Sequence, residues 1–277
     1  MAKYTIIGGN GFVGQAICQE LDKRGLTYDV IGRNDCLKEN SQLDKIIYCA
    51  GNGDCNNSPY DVFEANTNLL VKILKSINFN RMVYLSSTRL YMNNVRSTEK
   101  SDLIVGFNDN RRLFNLTKLA AEEMLLRSNK DIVILRPSNI YGTALKSPLF
   151  LPSIIKDALI KREVNMYVDK LYAKDYVSVG NVAEAAIFFS ELHHSDNKII
   201  NIASGKNVSA NEIASILEKE TGCTINWHTK TTAQESFPVT DNKTFRQSIP
   251  ELKIDDVIED MKEMIFQFKE SINKGIV

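Results

Sequence analysis

Tyr4-Thr5-Ile6-Ile7-Gly8-Gly9-Asn10-Gly11-Phe12-Val13-Gly14 is the stretch that decides how this chain folds. Tyr4 to Ile7 is a short buried-strand run, after which Phe12, Val13, Ala16, Ile17 and Leu21 recur at helical spacing. Between the two, Gly8, Gly11 and Gly14 fall three residues apart. The first permits a tight turn, the second lets backbone amides approach a ligand, and the third allows close packing of helix on strand. The helix N-terminus adds partial positive charge. A glycine triplet alone often marks only a turn. With a strand before it and a helix after it, it reads as a seat for the pyrophosphate of a dinucleotide.

Working outward, apolar runs alternate with segments of helical period, which predicts a parallel sheet covered by helices on both faces. Tyr28 to Ile31 reads as the second strand and Asp44 to Ala50 as the third. About a dozen residues separate them, short for a full crossover helix, so an element is trimmed or missing there. Asp61 to Ile77 reads as a helix, Arg81 to Ser86 as a strand, Arg111 to Ser128 as a helix, and Asp131 to Leu135 as a strand stopped at Pro137. Beyond Gly142 the pattern loosens into helices near Ser153 to Lys161, Val182 to Leu192, Ala210 to Thr221 and Ile254 to Lys269, with short strands around Val177 and Ile199. The expected fold class is α/β: a Rossmann doubly wound parallel sheet over residues 1–142, rejoined by 175–200. A smaller α+β substrate-binding lid is expected from 143–174 and 201–277.

Composition narrows the function. The 277 residues are 43% hydrophobic and 25% charged, enough for a sizeable core, and Lys plus Arg balances Asp plus Glu at 34 each. No basic excess argues for nucleic acid, no basic block reads as a membrane patch, and a small-molecule partner is expected. The first residues lack the apolar core of a leader and no run of about 18 apolar residues occurs, so a cytoplasmic protein is expected. Five scattered cysteines, and His193, His194 and His228 without ligand spacing, predict neither disulfides nor a metal site. The second strand ends Ile31-Gly32-Arg33-Asn34. A guanidinium there suits a 2′-phosphate, so NADP(H) is favoured, and Asp35 keeps NAD(H) possible.

Several separate motifs now resemble one family. GGNGFVG at 8–14, CAGN at 49–52, Pro59 with Asn66, LSSTRLY at 85–91 and LRPSNIYG at 135–142 are similar to motifs of the extended short-chain dehydrogenase/reductase, or NAD-dependent epimerase/dehydratase, family. So are KDYVSVGNVAEA at 174–185, with Lys174 and Asn181 replacing the usual Arg and Asp, and NIASGKNVSANEIA at 201–214. The resemblance implies cofactor contacts from Gly8, Asn10, Gly11, Phe12, Val13, Gly14, Arg33, Asn34, Ala50, Gly51, Asn66, Ser86, Lys118 and Pro137. It places Tyr91, Asn139 and Lys174 on the substrate side, Lys174 as a point charge for a nucleotide pyrophosphate. The family's catalytic signature is Ser or Thr with Tyr-x-x-x-Lys. Here Ser87, Thr88 and Lys118 match it, while Phe114 occupies the tyrosine position and has no proton to give. Three explanations stand open: an introduced substitution, an enzyme that takes its proton from Ser87 or ordered water, and a binding protein that no longer turns over.

Dehydratases of the family resemble one another in an Asp-Glu pair where this chain has Arg89 and Leu90, so dehydration is not expected. The resemblance, the length, the trimmed connection and Arg33 favour a 4-ketoreductase of a nucleotide 4-keto-6-deoxy sugar. The alternatives are a nucleotide-sugar 4-epimerase or a catalytically blunted NADP(H) sensor. A homodimer is also implied, through a four-helix interface from 61–77 and 111–128. Val62, Phe63, Leu69, Leu70, Ile73 and Leu74 on one helix, and Leu113, Phe114, Leu116, Leu119, Met124 and Leu125 on the other, exceed what one sheet-facing stripe needs.

Overall fold

The computed structural model describes residues 3–32, 35, 39–145, 147, 149–192, 198–228 and 235–275. The chain opens with β1 (Tyr4–Ile7), α1 (Phe12–Lys23), β2 (Tyr28–Ile31) and β3 (Gln42–Tyr48). It continues with α2 (Pro59–Phe63), α3 (Leu69–Ser76), β4 (Asn78–Leu85), α4 (Arg112–Arg127) and β5 (Ile132–Pro137). β6 (Asn139–Tyr141), α5 (Phe150–Ile160), β7 (Glu163–Met166), β8 (Ala173–Ser178), α6 (Val179–Glu191) and β9 (Ile199–Ile202) follow. The last elements are β10 (Asn207–Ser209), α7 (Ala210–Thr221), β11 (Thr224–Trp227), α8 (Lys243–Ser248) and α9 (Val257–Asn273).

Six parallel strands form the main sheet in the order β2-β1-β3-β4-β5-β9. The strand side chains alternate between two cores, as a sheet covered on both faces requires. Tyr4, Ile6, Ile47, Val83, Leu85, Val133 and Leu135 pack under α1 and α6. Ile7, Ile46, Tyr48, Met82, Tyr84, Ile132 and Ile134 face α3 and α4. Truncating one of these fully buried side chains to Ala costs about 2–5 kcal/mol. β2 and β9 are the edge strands, and residues 33, 34 and 36–38 of the short β2–β3 connection, where a trimmed element was expected, lie outside the described residues.

The second core gathers β7, β8, α5, α7 and α9, with Met166, Leu217, Met261 and Phe268 at its centre. Two small sheets support it, β10-β8-β6 and β11-β7. Residues 139–141 pair with β8, so this short stretch leaves the main sheet directly after Pro137 and enters the smaller one. The predicted helix over 61–77 is not continuous: Glu64–Asn68 is a π turn between α2 and α3, and it carries the fully buried Asn66. Among the described residues, no helix is long and apolar enough to cross a membrane.

Candidate functional site

The carboxyl ends of β1, β3, β4 and β5 meet at one edge of the sheet, and the chemistry-bearing residues collect there. Gly8 has φ +84°, a backbone conformation that L side chains rarely adopt. A Cβ on it would also lie 2.7 Å from Ala50 Cα. Gly11 N–H donates to the Gly8 carbonyl at 3.0 Å, closing the turn. A Cβ on Gly14 would stand 2.4 Å from that same carbonyl oxygen. No side chain caps α1, which starts at Phe12 and Val13 directly beyond Gly11. These residues therefore form the tight cradle, opening on a helix N-terminus, that a pyrophosphate needs.

Asn10 Nδ2 and Asp35 Oδ2 both approach Gly32 at the end of β2; a Cβ there would be 3.1 Å from one and 3.2 Å from the other. Asp35 accepts a 2.7 Å hydrogen bond from Gly32 N–H, which holds a carboxylate at the strand end. Arg33 and Asn34, the other candidates for the ribose side, lie outside the described residues.

Lys118 is the centre of the site. Helix α4 delivers it into the sheet edge, where Nζ donates to the Leu85 carbonyl at 2.8 Å and to Tyr84 Oη at 3.3 Å. Burial pushes its pKa down from 10.5 to about 8, and the nearby Glu122 opposes that shift. Gly51 leaves room for it: a Cβ there would meet Asn66 Oδ1 at 3.3 Å and Lys118 Nζ at 3.5 Å. The Asn66 amide accepts from Asn52 N–H at 3.2 Å and donates to Asn52 O at 3.1 Å and Thr117 Oγ1 at 3.0 Å. The π turn sets this side chain between the loop and α4, which explains why a regular helix over 61–77 does not form.

Ser86 is buried, and its hydroxyl has no hydrogen-bond partner among the described residues. Ser87 Oγ accepts from Arg89 N–H at 3.1 Å and leaves its own proton available to donate. Thr88 is buried beside it. Phe114 lies one helical turn before Lys118 on α4, and the Arg111 guanidinium carbon sits 4.5 Å from its ring centroid. Pro137 ends β5 in register with Ile202. On the lid side, a cavity of 310 Å³ is lined by Asn139, Tyr141, Leu151, Tyr172, Lys174 and Tyr176, among others. Asn139 Nδ2 is spent on the Asp175 carbonyl at 2.8 Å. The Lys174 ammonium is driven down to about 8 by burial, lies 3.7 Å from Glu235, and packs over Tyr172 at 4.8 Å.

Tyr91 is not brought to that cavity. It is 1% exposed, its hydroxyl donates to Asn201 Oδ1 at 2.9 Å, and Arg136 donates to it at 2.6 Å. Arg136 in turn forms a buried ion pair with Glu122 at 2.5 Å, one turn beyond Lys118 on α4. Tyr91 therefore sits in a polar lattice that braces the site, too deep to touch a sugar. Sequence reasoning also missed a charge cluster: Arg89 pairs with Asp109 at 2.8 Å and with Glu235 at 2.6 Å. No local pattern announces that second pair, since its members are 146 residues apart.

A parallel sheet of this order, with a glycine turn at the end of β1, defines a Rossmann-type α/β protein that takes a dinucleotide at the carboxyl ends of its strands. The sequence profile of the NAD dependent epimerase/dehydratase family matches residues 33–203, and the chain belongs to that family, whose members are enzymes of the extended short-chain dehydrogenase/reductase class. A Methanocaldococcus jannaschii protein named for UDP-glucose 4-epimerase is 32% identical over 116 residues, 39% of this chain and 37% of that relative's length. A protein of Arabidopsis thaliana named for GDP-L-fucose synthase is 23% identical over 257 residues, covering 80% of this chain and 77% of the relative. The solved structure of MoeE5 in complex with UDP-glucose and NAD superposes with a TM-score of 0.82 at 18% identity, covering 98% of this chain and 99% of that one.

Proposed function

We propose that this chain is a nicotinamide-dependent oxidoreductase of a nucleotide sugar, and specifically a 4-ketoreductase of a nucleotide 4-keto-6-deoxy sugar. What carries the choice is the 257-residue alignment with the GDP-L-fucose synthase relative. L-fucose is a 6-deoxyhexose, the kind of product that reduction of a 4-keto-6-deoxy sugar yields. Arg89, tied to Asp109 and Glu235, stands where an eliminating enzyme would need an acid.

In this reading the main sheet carries the dinucleotide and the lobe of 143–174 with 201–277 carries the nucleotide sugar. The residues fit the cofactor: Gly8 and Gly14 leave a cradle that a Cβ would fill, and Ser86, directly after β4, has a hydroxyl with no partner among the described residues. When bound, the dinucleotide supplies the hydride. Gly11, Phe12 and Val13 hold its pyrophosphate, Ala50, Gly51, Asn66 and Pro137 line its path, and Lys118 holds the nicotinamide ribose. Lys174 and Asn139 receive the nucleotide of the substrate. With Phe114 unable to give a proton, Ser87 relays one from solvent water, passing its own O–H proton to the sugar oxygen and taking one back from the water, and Lys118, near its midpoint at about 8, keeps the local field positive.

A second reading, a 4-epimerase that retains NAD(H), is favoured by the Asp35 carboxylate at the end of β2, which suits a ribose 2′-hydroxyl and repels a 2′-phosphate. Two assays separate them. The reductase oxidises NADPH stoichiometrically with a nucleotide 4-keto-6-deoxyhexose. The epimerase interconverts UDP-glucose and UDP-galactose with no net change in cofactor. Silence in both assays would sink both readings.

For assembly the proposal is a homodimer through the helical stretches 61–77 and 111–128, that is α2 and α3 with α4. Val62, Leu70, Ile73 and Leu125 are consumed by the chain's own core, whereas Tyr60, Phe63 and Leu116 remain exposed. Light scattering that gives a monomer at micromolar concentration would count against the dimer.

A further inference from the structure

A lysine ammonium has three N–H groups, and the fold commits two of those on Lys118. One goes to the Leu85 carbonyl at 2.8 Å and one to Tyr84 Oη at 3.3 Å. The third remains for the side of Gly51, where a Cβ would stand 3.5 Å from Nζ, beside the path proposed for the dinucleotide. Two tyrosines build this arrangement. Tyr48 and Tyr84 stand opposite each other on β3 and β4, with ring centroids 5.3 Å apart, and both reach the π turn at Glu64–Asn68. Tyr48 donates to the Ala65 carbonyl at 2.6 Å and Tyr84 to the Asn66 carbonyl at 3.2 Å. With its proton committed there, Tyr84 turns an oxygen lone pair to Nζ, and an acceptor favours ammonium over amine. Burial, followed by the neighbouring Tyr48 and Glu122, pushes the Tyr84 phenol well above its ordinary pKa, so it stays a neutral acceptor. Lys118 also packs over its ring, 4.8 Å from the centroid. Tyr84 itself is fully buried and touches no ligand.

We propose that Tyr84 is the positioning residue for Lys118: its hydroxyl, anchored on the π turn, fixes the ammonium and turns the remaining N–H toward the ribose of the dinucleotide. The π turn then serves the site twice, since it also aims the Asn66 amide at Asn52 and Thr117. The other titratable groups that act on the Lys118 charge are Glu122 on its own helix and Cys49 directly after β3. Glu122 is held by Arg136 at 2.5 Å, and burial, followed by Cys18, lifts the Cys49 thiol to about 12. The inference rests on Lys118 as the ribose anchor, not on which sugar is processed or in which direction hydride moves.

Carbon NMR of the dinucleotide-free protein, labelled at lysine Cε, follows the Lys118 titration directly, its signal assigned by its loss in Lys118→Met. Tyr84→Phe keeps the ring and removes the hydroxyl. In that variant the midpoint should fall by about one pH unit, the lower end of what a hydrogen bond to a charged group is worth. NAD, or NADP if it binds more tightly, should then bind about fivefold more weakly at pH 8 and within about twofold at pH 6, because the neutral amine holds the ribose poorly. Site-specific 3-fluorotyrosine at 84 keeps every contact but weakens the oxygen as an acceptor. It should move the midpoint in the same direction by a smaller amount, and it carries the test if Tyr84→Phe does not fold. A midpoint that stays put in the variants that fold overturns the proposal. So does equal weakening of the dinucleotide at every pH with the midpoint fixed, since Tyr84 would then serve only the fold, and so does a midpoint that falls with no change in affinity. Failure of the underlying reading shows separately: Lys118→Met that binds the dinucleotide as tightly as the unmodified protein removes Lys118 from the ribose and takes this inference with it.

Discussion

Replacing Lys118 by Met removes a buried amine whose cost can be worked out. Its pKa stands at about 8 in the folded protein against an ordinary value of 10.5. A lowered lysine pKa means the unfolded chain binds more protons between those two values, so stability rises with pH across that window. Well below pH 8 the full penalty is present, about 3 kcal/mol. Between pH 7 and pH 10 most of it is relieved. Met carries no proton, so Lys118→Met should lack this component, although it strands the Leu85 carbonyl that Nζ now satisfies at a pH-independent cost of about 1–3 kcal/mol. The test is urea unfolding of cofactor-free protein and variant at pH 7 and pH 10, compared as a double difference so that all other titrations cancel. The variant should lose about 2–3 kcal/mol of relative stability on going to the higher pH. Parallel pH dependence would refute the picture of Lys118 as a buried, desolvated amine. Dinucleotide titration of the same variant should show affinity reduced by about tenfold or more, as expected if the amine also holds the ribose.

Three further outcomes are expected. Phe114→Tyr should raise kcat by about 100-fold or more while cofactor affinity stays within a few-fold, since a positioned acid is restored beside Lys118; unchanged turnover on a confirmed substrate would mean that Phe114 is not at the acid position. Gly14→Ala should abolish measurable dinucleotide binding in a fluorescence titration, because its Cβ would lie 2.4 Å from the Gly8 carbonyl and 2.5 Å from Gly9 Cα, and near-normal affinity would contradict the cradle. Asp35→Ser should shift the NAD-to-NADP affinity ratio toward NADP by about tenfold, and no shift would remove Asp35 from the ribose site.

The parts of this molecule that could be read from sequence are those whose physics is local. The turn at Gly8, Gly11 and Gly14 is steric, and the contacts a Cβ would make at Gly8 and Gly14 are the reason no other residue serves. The inner strands β1, β4 and β5 of the main sheet could be read because they are buried on both faces, and Phe114 and Lys118 because one helical turn joins them. The lid strands β6, β7, β10 and β11 are three or four residues long, too short for a period to register, and they exist because their partners hold them. The break at Glu64–Asn68 could not be read for a related reason: the helix gives up regular hydrogen bonding so that Asn66 can reach Asn52 and Thr117, a gain invisible until the loop and α4 are in place. Tyr91 carries the same lesson at the site itself. Its motif position was visible, but its role depends on Arg136 and Asn201, 45 and 110 residues away, which close over its hydroxyl and convert a candidate substrate contact into a brace. Arg111 is the converse case. A charged residue at a helix start reads as solvated surface, and only Gly53 beneath it, with Arg89 pairing both neighbouring acids, leaves its guanidinium packed on Phe114 without an ion pair among the described residues.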